Sequence, residues 1–246
     1  MSVGTTIGTF FVANQPEVIE KTWRYHVDRN KLVNPYNPLL GKKLLDLDYL
    51  IHLFNNSIAY LDVDAVIKSK TRLRYALIDY DSGELLWVKP TRENIFRLIM
   101  AACSMPIVRG PQKIGDRRFF DAGFVYGGVP ELAEIARTHN EVVYVSNYGE
   151  QYQTSPAWKF FGDVLFPVAA KFGGYPKPLQ EVFKERKKRR IESLNYMKQN
   201  KKFLIVAPSE QLFNKTFDTS WKKINEMFDL GKKDAEQFIQ RIHSQS

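Results

Sequence analysis

A chain of 246 residues that is 44% hydrophobic and 13% aromatic holds enough apolar material for one substantial core, which excludes a mainly disordered protein. A net charge of +9 and a pI near 9.4 favour a polyanionic partner, a nucleic acid or an anionic lipid surface, without choosing between them. Cys103 is the only cysteine and no run approaches the roughly 18 apolar residues of a membrane span, so the expectation is a cytoplasmic protein, at most peripheral to a membrane.

Val3, Ile7, Phe10 and Phe11 recur at helical spacing and predict a buried helix over Val3 to Ala13, in which Gly4 and Gly8 allow close backbone approach. Pro16 suits the first turn of a second helix, and the stretch from Asn34 to Gly41, with Pro35 and Pro38, reads as irregular. Asp46 to Phe54 predicts a short helix. Arg72 to Tyr80 and Glu84 to Val88 predict two strands joined by a turn at Asp81, Ser82 and Gly83. Thr91 offers an N-cap for a helix striped by Ile95, Leu98, Ile99 and Ala102, with Asn94 where a capping box has Glu or Gln. Next come a strand at Arg117 to Phe120, a helix at Pro130 to Thr138 and a strand at Glu141 to Val145, the alternation of an α/β sheet. Beyond residue 150 the pattern is mainly helical, with an isolated strand at Phe203 to Ala207 and two last helices, Thr219 to Phe228 and Lys232 to His243, separated by Gly231. The expected division is a core over 1–150 and a helical extension over 151–246 packed on it.

Asp121 ends a strand and opens a turn of small residues, Ala122 and Gly123, where ligands bind in open α/β sheets; a turn aspartate capping its own backbone is the plainer reading. Ser2 stands at the start of the first helix, where backbone N–H groups and the helix dipole favour a developing negative charge; an N-cap serine is the plainer reading there. The run from Lys184 to Arg190, broken only by Glu185, reads first as a solvated helix face with its stems lying along apolar neighbours.

The order of several short motifs adds a resemblance. Ser2-Val3-Gly4, followed by Thr9 to Glu17 with Gln15 and Pro16, resembles the second half of the G-x-S-x-G elbow of the patatin-like phospholipase family, in its bacterial branch, with the helix behind it. Ala101 to Pro106 is similar to that family's small-residue helix end and proline loop. Phe120-Asp121-Ala122-Gly123 with Val129-Pro130 is similar to its D-G-G or D-G-A turn, and Val206 to Pro208 and Asp229 to Gly231 resemble its tail. The likeness runs along nearly the whole chain.

The resemblance implies a three-layer α/β/α patatin-like sheet and a lipid acyl hydrolase, a phospholipase or esterase, with Ser2 as nucleophile and Asp121 as its general base, flanked by Gly4, Ala122 and Gly123. It implies a lipid substrate, an acyl-enzyme, and neither metal nor organic cofactor. A carboxylate with raised proton affinity can serve a serine without histidine, and His26, His52, His139 and His243 stand in no triad motif. A second frame, Gly4-Thr5-Thr6-Ile7-Gly8, offers Thr6 but shifts the helix register against Gln15 and Pro16. The family's first elbow glycine, preceding strand and glycine-rich oxyanion loop are not present before Ser2, with Met1 in the intervening position. The expectation is therefore a sheet missing its first strands, from a start assigned too far downstream or a natural fragment. Ala122 replaces a usual glycine, which matters only where that backbone needs φ > 0. The alternative is an inactive truncated relative that binds lipid or a protein partner. Peripheral contact with an anionic membrane is expected, with the aromatic stretch Trp158 to Phe172 as a source of apolar contact and helix packing as its plainer reading. No nucleic acid partner is expected, because no helix-turn-helix, zinc-ligand spacing or aromatic RNA-binding motif accompanies the Lys184 to Arg190 run.

Overall fold

The computed structural model describes residues 2–244 except 28, 35, 42, 107, 148–159 and 211–219; Met1, Pro35, Trp158 and Thr219, which entered the expectations above, lie outside them. The first helix, α1 (Val3–Val12), forms as its periodicity predicts but turns a different face inward. Its buried positions are Thr5, Thr6, Thr9 and Phe10, whereas Ile7 is exposed and Phe11 is 69% exposed. Thr6 and Thr9 can face inward because a helix carbonyl one turn back takes the hydroxyl proton, whereas the Thr5 hydroxyl is buried without a hydrogen-bond partner among the described residues. Thr6 Oγ1 donates to the Val3 carbonyl and Thr9 Oγ1 to that of Thr5, each at 2.7 Å. With that proton committed, Thr9 Oγ1 accepts from the Tyr75 hydroxyl, also at 2.7 Å. Gly4 and Gly8 fall on the outward face, and no described atom lies within 4 Å of where a Cβ would stand on either, so the expected close backbone approach is absent.

Pro16 opens α2 (Pro16–Lys21), which continues into a π-helical turn at Thr22–His26. After α3 (Arg29–Leu32), the stretch expected to be irregular contains a 3₁₀ turn at Asn37–Leu40. Asp46 caps α4 (Leu47–Phe54) by accepting from the Tyr49 amide at 2.9 Å. The sequence reading did not anticipate α5 (Val63–Lys68), which Asp62 caps in the same way through Ala65.

The turn at Asp81 to Gly83 joins β1 (Tyr75–Asp79) to β2 (Leu85–Val88) as an antiparallel hairpin, with Gly83 at φ 70°. Asp79 holds this turn, accepting from the Asp81 and Ser82 amides, the Ser82 hydroxyl and the Arg117 guanidinium. Burial pushes its carboxyl up, but the bonds from Ser82 and Arg117 outweigh that and hold it below its ordinary range. The next helix, α6 (Ile95–Ala102), starts later than a Thr91 cap predicts. Asn94 stands at its N-cap position, and its Oδ1 accepts from the Thr91 amide at 2.7 Å.

Then follow β3 (Gln112–Ile114), β4 (Arg117–Asp121), α7 (Ala122–Val125), α8 (Leu132–Thr138), β5 (Val142–Val145), α9 (Phe166–Phe172), α10 (Lys177–Lys184), α11 (Arg186–Gln199), β6 (Phe203–Val206) and α12 (Trp221–His243). The chain is mixed α/β. Its larger sheet has the order β2-β1-β4-β3 and is antiparallel throughout, not the alternating α/β arrangement read from the sequence. Short turns require this of β1 with β2 and of β3 with β4, since parallel strands need a longer crossover, and the distant pair β1 and β4 also meets antiparallel. The expected isolated strand β6 instead pairs in parallel with β5, Val142 opposite Phe203. The last two expected helices are one: α12 runs through Gly231, a residue whose cost inside a helix, about 1 kcal/mol, is tolerated. No helix among the described residues is long and apolar enough to cross a membrane.

Two compact units are distinguished, 1–127 with 165–189, and 128–164 with 190–246, and neither coincides with 1–150 or 151–246. In the first, Ala76, Ile78, Phe120 and Val125 pack with Phe166, Ala170, Leu179 and Phe183, so α9 and α10 supply core. In the second, Leu132, Ala136, Met197 and Phe203 form a smaller cluster. In the basic run Lys184, Lys187 and Lys188 are exposed, as the plainer reading has them, whereas the charged heads of Arg186 and Arg189 lie against the protein. The Arg186 guanidinium lies 4.1 Å from the Phe183 ring centroid, and that of Arg189 lies 4.7 Å from Tyr126 while donating to the Val182 carbonyl at 2.6 Å.

Gly127 closes the first unit at φ 84°, and a Cβ there would meet the Arg186 carbonyl oxygen at 2.5 Å. Gly127→Ala is expected to cost about 2–3 kcal/mol from the backbone conformation and the forced shift together. Urea unfolding checks this, and a change below about 0.5 kcal/mol, the range of ordinary surface substitutions, would contradict it.

Candidate active site

The sequence of β4 places one acid at a defined depth. Arg117 and Arg118 are exposed, and Phe119, Phe120 and Asp121 are buried, with Asp121 1% exposed opposite Leu77 of β1. The Asp121 amide donates to the Ser104 carbonyl at 2.9 Å, which ties the strand end to the chain leaving α6. At that point the chain turns directly into α7. Asp121 is the N-cap and its Oδ1 accepts from the Gly123 amide at 2.7 Å, so the turn-capping reading of this aspartate is correct as far as it goes. Ala122 is the first residue of α7 and, like Gly123, has no positive φ. The exchange of a glycine for Ala122 therefore has no backbone consequence.

Ser2 takes part in the same group. It stands at the N-cap position of α1 with φ 53° and ψ −143°, a region that residues bearing a Cβ rarely occupy and that costs on the order of 1–3 kcal/mol. Its side chain makes no capping bond to α1, contrary to the plainer reading. Instead, the Ser2 hydroxyl and amide lie against the Asp121 carboxylate and lower its proton affinity. Ser2 is half-buried, with Asp121 behind it. Gly4, the other flanking residue, is the second residue of α1 and is exposed.

The electrostatics follow from depth. Burial drives the Asp121 carboxyl up to about 6, although the donors at Gly123 and Ser2 pull it down. A neighbour that the sequence reading did not assign a role is Cys103, at the C-cap of α6. Burial and the charge of Asp121 push its thiol up to about 12, so it stays protonated and acts as a small apolar wall. Tyr75, whose hydroxyl bonds Thr9, is likewise raised by burial. Cys103 and Ser104 lie in the Ala101 to Pro106 segment, but nothing in that segment's own pattern points to Asp121, from which it is separated by β3 and most of β4.

The cleft of about 360 Å³ lined by Asn14, Gln15, Pro16, Glu17 and Val18 lies beyond the opposite end of α1 from Ser2 and contributes nothing to this group. Among the described residues no three His, Cys, Asp or Glu side chains are grouped to hold a metal ion. Chemically, the arrangement offers a hydroxyl on a strained turn, a carboxylate of raised proton affinity against it, and the N-terminus of a ten-residue helix directly after the hydroxyl. No protein-family model and no curated protein matches the chain.

Proposed function

We propose that this chain is a lipid acyl hydrolase, a phospholipase or esterase that cleaves carboxylic ester bonds through a Ser2/Asp121 dyad. The observation that carries the reading is the placement of Ser2, on a strained backbone and with no bond to its own helix, against the buried Asp121 carboxylate whose proton affinity it lowers. A serine hydroxyl becomes an effective nucleophile when a base takes its proton, and a carboxyl near 6 is ionised at neutral pH yet basic enough to accept it. The three-layer α/β/α patatin-like arrangement belongs to the same proposal, supported by the strand–turn–helix order of β4 and α7 around Asp121.

In this reading Ser2 Oγ attacks the ester carbonyl carbon while its proton passes to Asp121. The oxyanion forms at the start of α1, where the Val3 and Gly4 amides lie in the first turn and have no acceptor within their own helix. The C–O bond to the alcohol then breaks, and Asp121 returns the proton to that leaving oxygen. Water next attacks the acyl-Ser2 carbonyl, giving a proton to Asp121. The acid departs as Ser2 recovers that proton.

A fluorophosphonate probe tests this, because it phosphonylates an activated serine without needing the natural ester. The expected result is a single adduct by intact mass that Ser2→Ala lacks. The labelling rate should rise with pH to a plateau above about 6, falling about tenfold per unit below it as Asp121 takes a proton. A folded chain that takes up no probe would leave the other reading, an inactive protein that binds lipid or a protein partner.

A further inference from the structure

Helix α9 is apolar on both sides, and its inner side alone accounts for the core. Phe166 and Ala170 are buried among Tyr80, Phe120 and Phe183. At 3.6 residues per turn, Leu165, Val168 and Phe172 fall within about 60° of one another on roughly the opposite side. All three are exposed, Phe172 at 82%. Apart from Lys171, α9 carries only apolar side chains, and an exposed apolar face of this kind calls for a cover. The charges around it select the cover. Between Asp163 and Glu181 the chain carries Lys171 and Lys177, both exposed, and no carboxylate, in a protein of net charge +9, and Lys171 is the charged residue within α9 itself.

We propose that the outer face of α9 is the surface through which this protein sits on an anionic bilayer, with Leu165, Val168 and Phe172 entering the headgroup boundary and Lys171 and Lys177 meeting lipid phosphates. An apolar stripe flanked by lysines binds an interface through buried area together with attraction to anionic lipid. The choice of lipid over another occupant rests on the hydrolase reading, since an enzyme acting on membrane esters must reach them at the interface.

The test is cosedimentation of the full chain with phosphatidylcholine vesicles containing phosphatidylglycerol, at low and high salt. The full chain should bind, more weakly at high salt. Val168→Glu/Phe172→Glu should lower the partition coefficient by about tenfold or more, and Lys171→Glu should remove most of the salt dependence. Both substitutions lie outside the core, so thermal unfolding should be unchanged; if the double variant melts early, Phe172→Ser serves in its place. Equal binding by the variants would overturn the proposal. So would absence of vesicle binding together with a dimer that the double variant dissolves, which would make a second copy of the chain the cover. Ser2→Ala binds vesicles equally well if the surface is right. Binding without any probe labelling would sink the hydrolase reading alone, and labelling without binding would sink the surface alone.

Discussion

Asp121→Asn is expected to lower ester turnover by about four orders of magnitude, the scale seen when the acid behind a catalytic nucleophile loses its charge, while making the protein more stable above pH 6. The two effects share one cause. Burial holds the Asp121 carboxyl near 6, above its ordinary 3.8, so the folded state favours the protonated form. Stability from this group is fully present below about pH 4, and it is lost as pH rises through 6 and the buried carboxylate must ionise. At pH 8 the loss amounts to about 2–3 kcal/mol, since each tenfold rise in proton affinity on folding corresponds to about 1.4 kcal/mol. Asparagine does not titrate and still accepts from the Gly123 amide through its carbonyl. The melting temperature of the variant should therefore match the parent near pH 4 and exceed it at pH 8. Ser2→Ala provides the contrast: turnover disappears as well, but the carboxylate stays buried with one donor fewer, so stability at pH 8 does not rise. Retention of more than a tenth of the turnover by Asp121→Asn would sink the general-base role, and a pH-independent difference in melting temperature would sink the raised proton affinity.

The second large effect is on folding. Phe166→Ala should cost about 3–5 kcal/mol, the range for removing a buried aromatic side chain where the site cannot collapse. Phe166 is 1% exposed, with its ring centroid 3.6 Å from Phe183, 5.8 Å from Tyr175 and 6.2 Å from Phe124. These partners lie in α10, in the turn before it and in α7, so the deletion leaves a void shared by three segments. Equilibrium urea unfolding followed by tryptophan fluorescence measures it. A cost under about 1 kcal/mol would mean that α9 does not hold the core of the first unit together.

Local chemistry was readable where one residue acts on its neighbours. Asp46 before an apolar stripe, the Asp81-Ser82-Gly83 turn between two hydrophobic runs, and Asp121 before small residues each produced the structure expected of them. Asp62 gave the same capping signal, but the helix it starts is only six residues long and too short to show a period. What the sequence did not show is set by partners far along the chain. The inward face of α1 is chosen by Thr9 meeting Tyr75, 66 residues away, which a count of apolar residues cannot register. The larger sheet is completed by β1 meeting β4 antiparallel, from Leu77 opposite Asp121 to Asp79 opposite Phe119, and an isolated run of strand residues carries no direction. The boundary at 150 followed the change to a mainly helical pattern, whereas α9 and α10 return to the first unit by packing. At the candidate site, Ser2 and Asp121 were both named, from motif order. Their meeting depends on the twisted backbone at Ser2 and on the Ser104 carbonyl that seats the end of β4, neither of which has a one-dimensional signature.

The stacking of Arg186 on Phe183 and of Arg189 on Tyr126 changes what the net charge means. A guanidinium lying on a ring, or donating to a carbonyl as Arg189 does, is held by contacts that dissolved ions screen weakly, and it cannot swing out to a phosphate without giving them up. Counterion release on any polyanion, read from the slope of log K against log salt, should therefore fall short of the number of cations in the Lys184 to Arg190 run. The protein would behave in solution as a weaker polycation than its composition advertises, and neutralising Arg186 or Arg189 would register in the melting temperature before it registered in that slope.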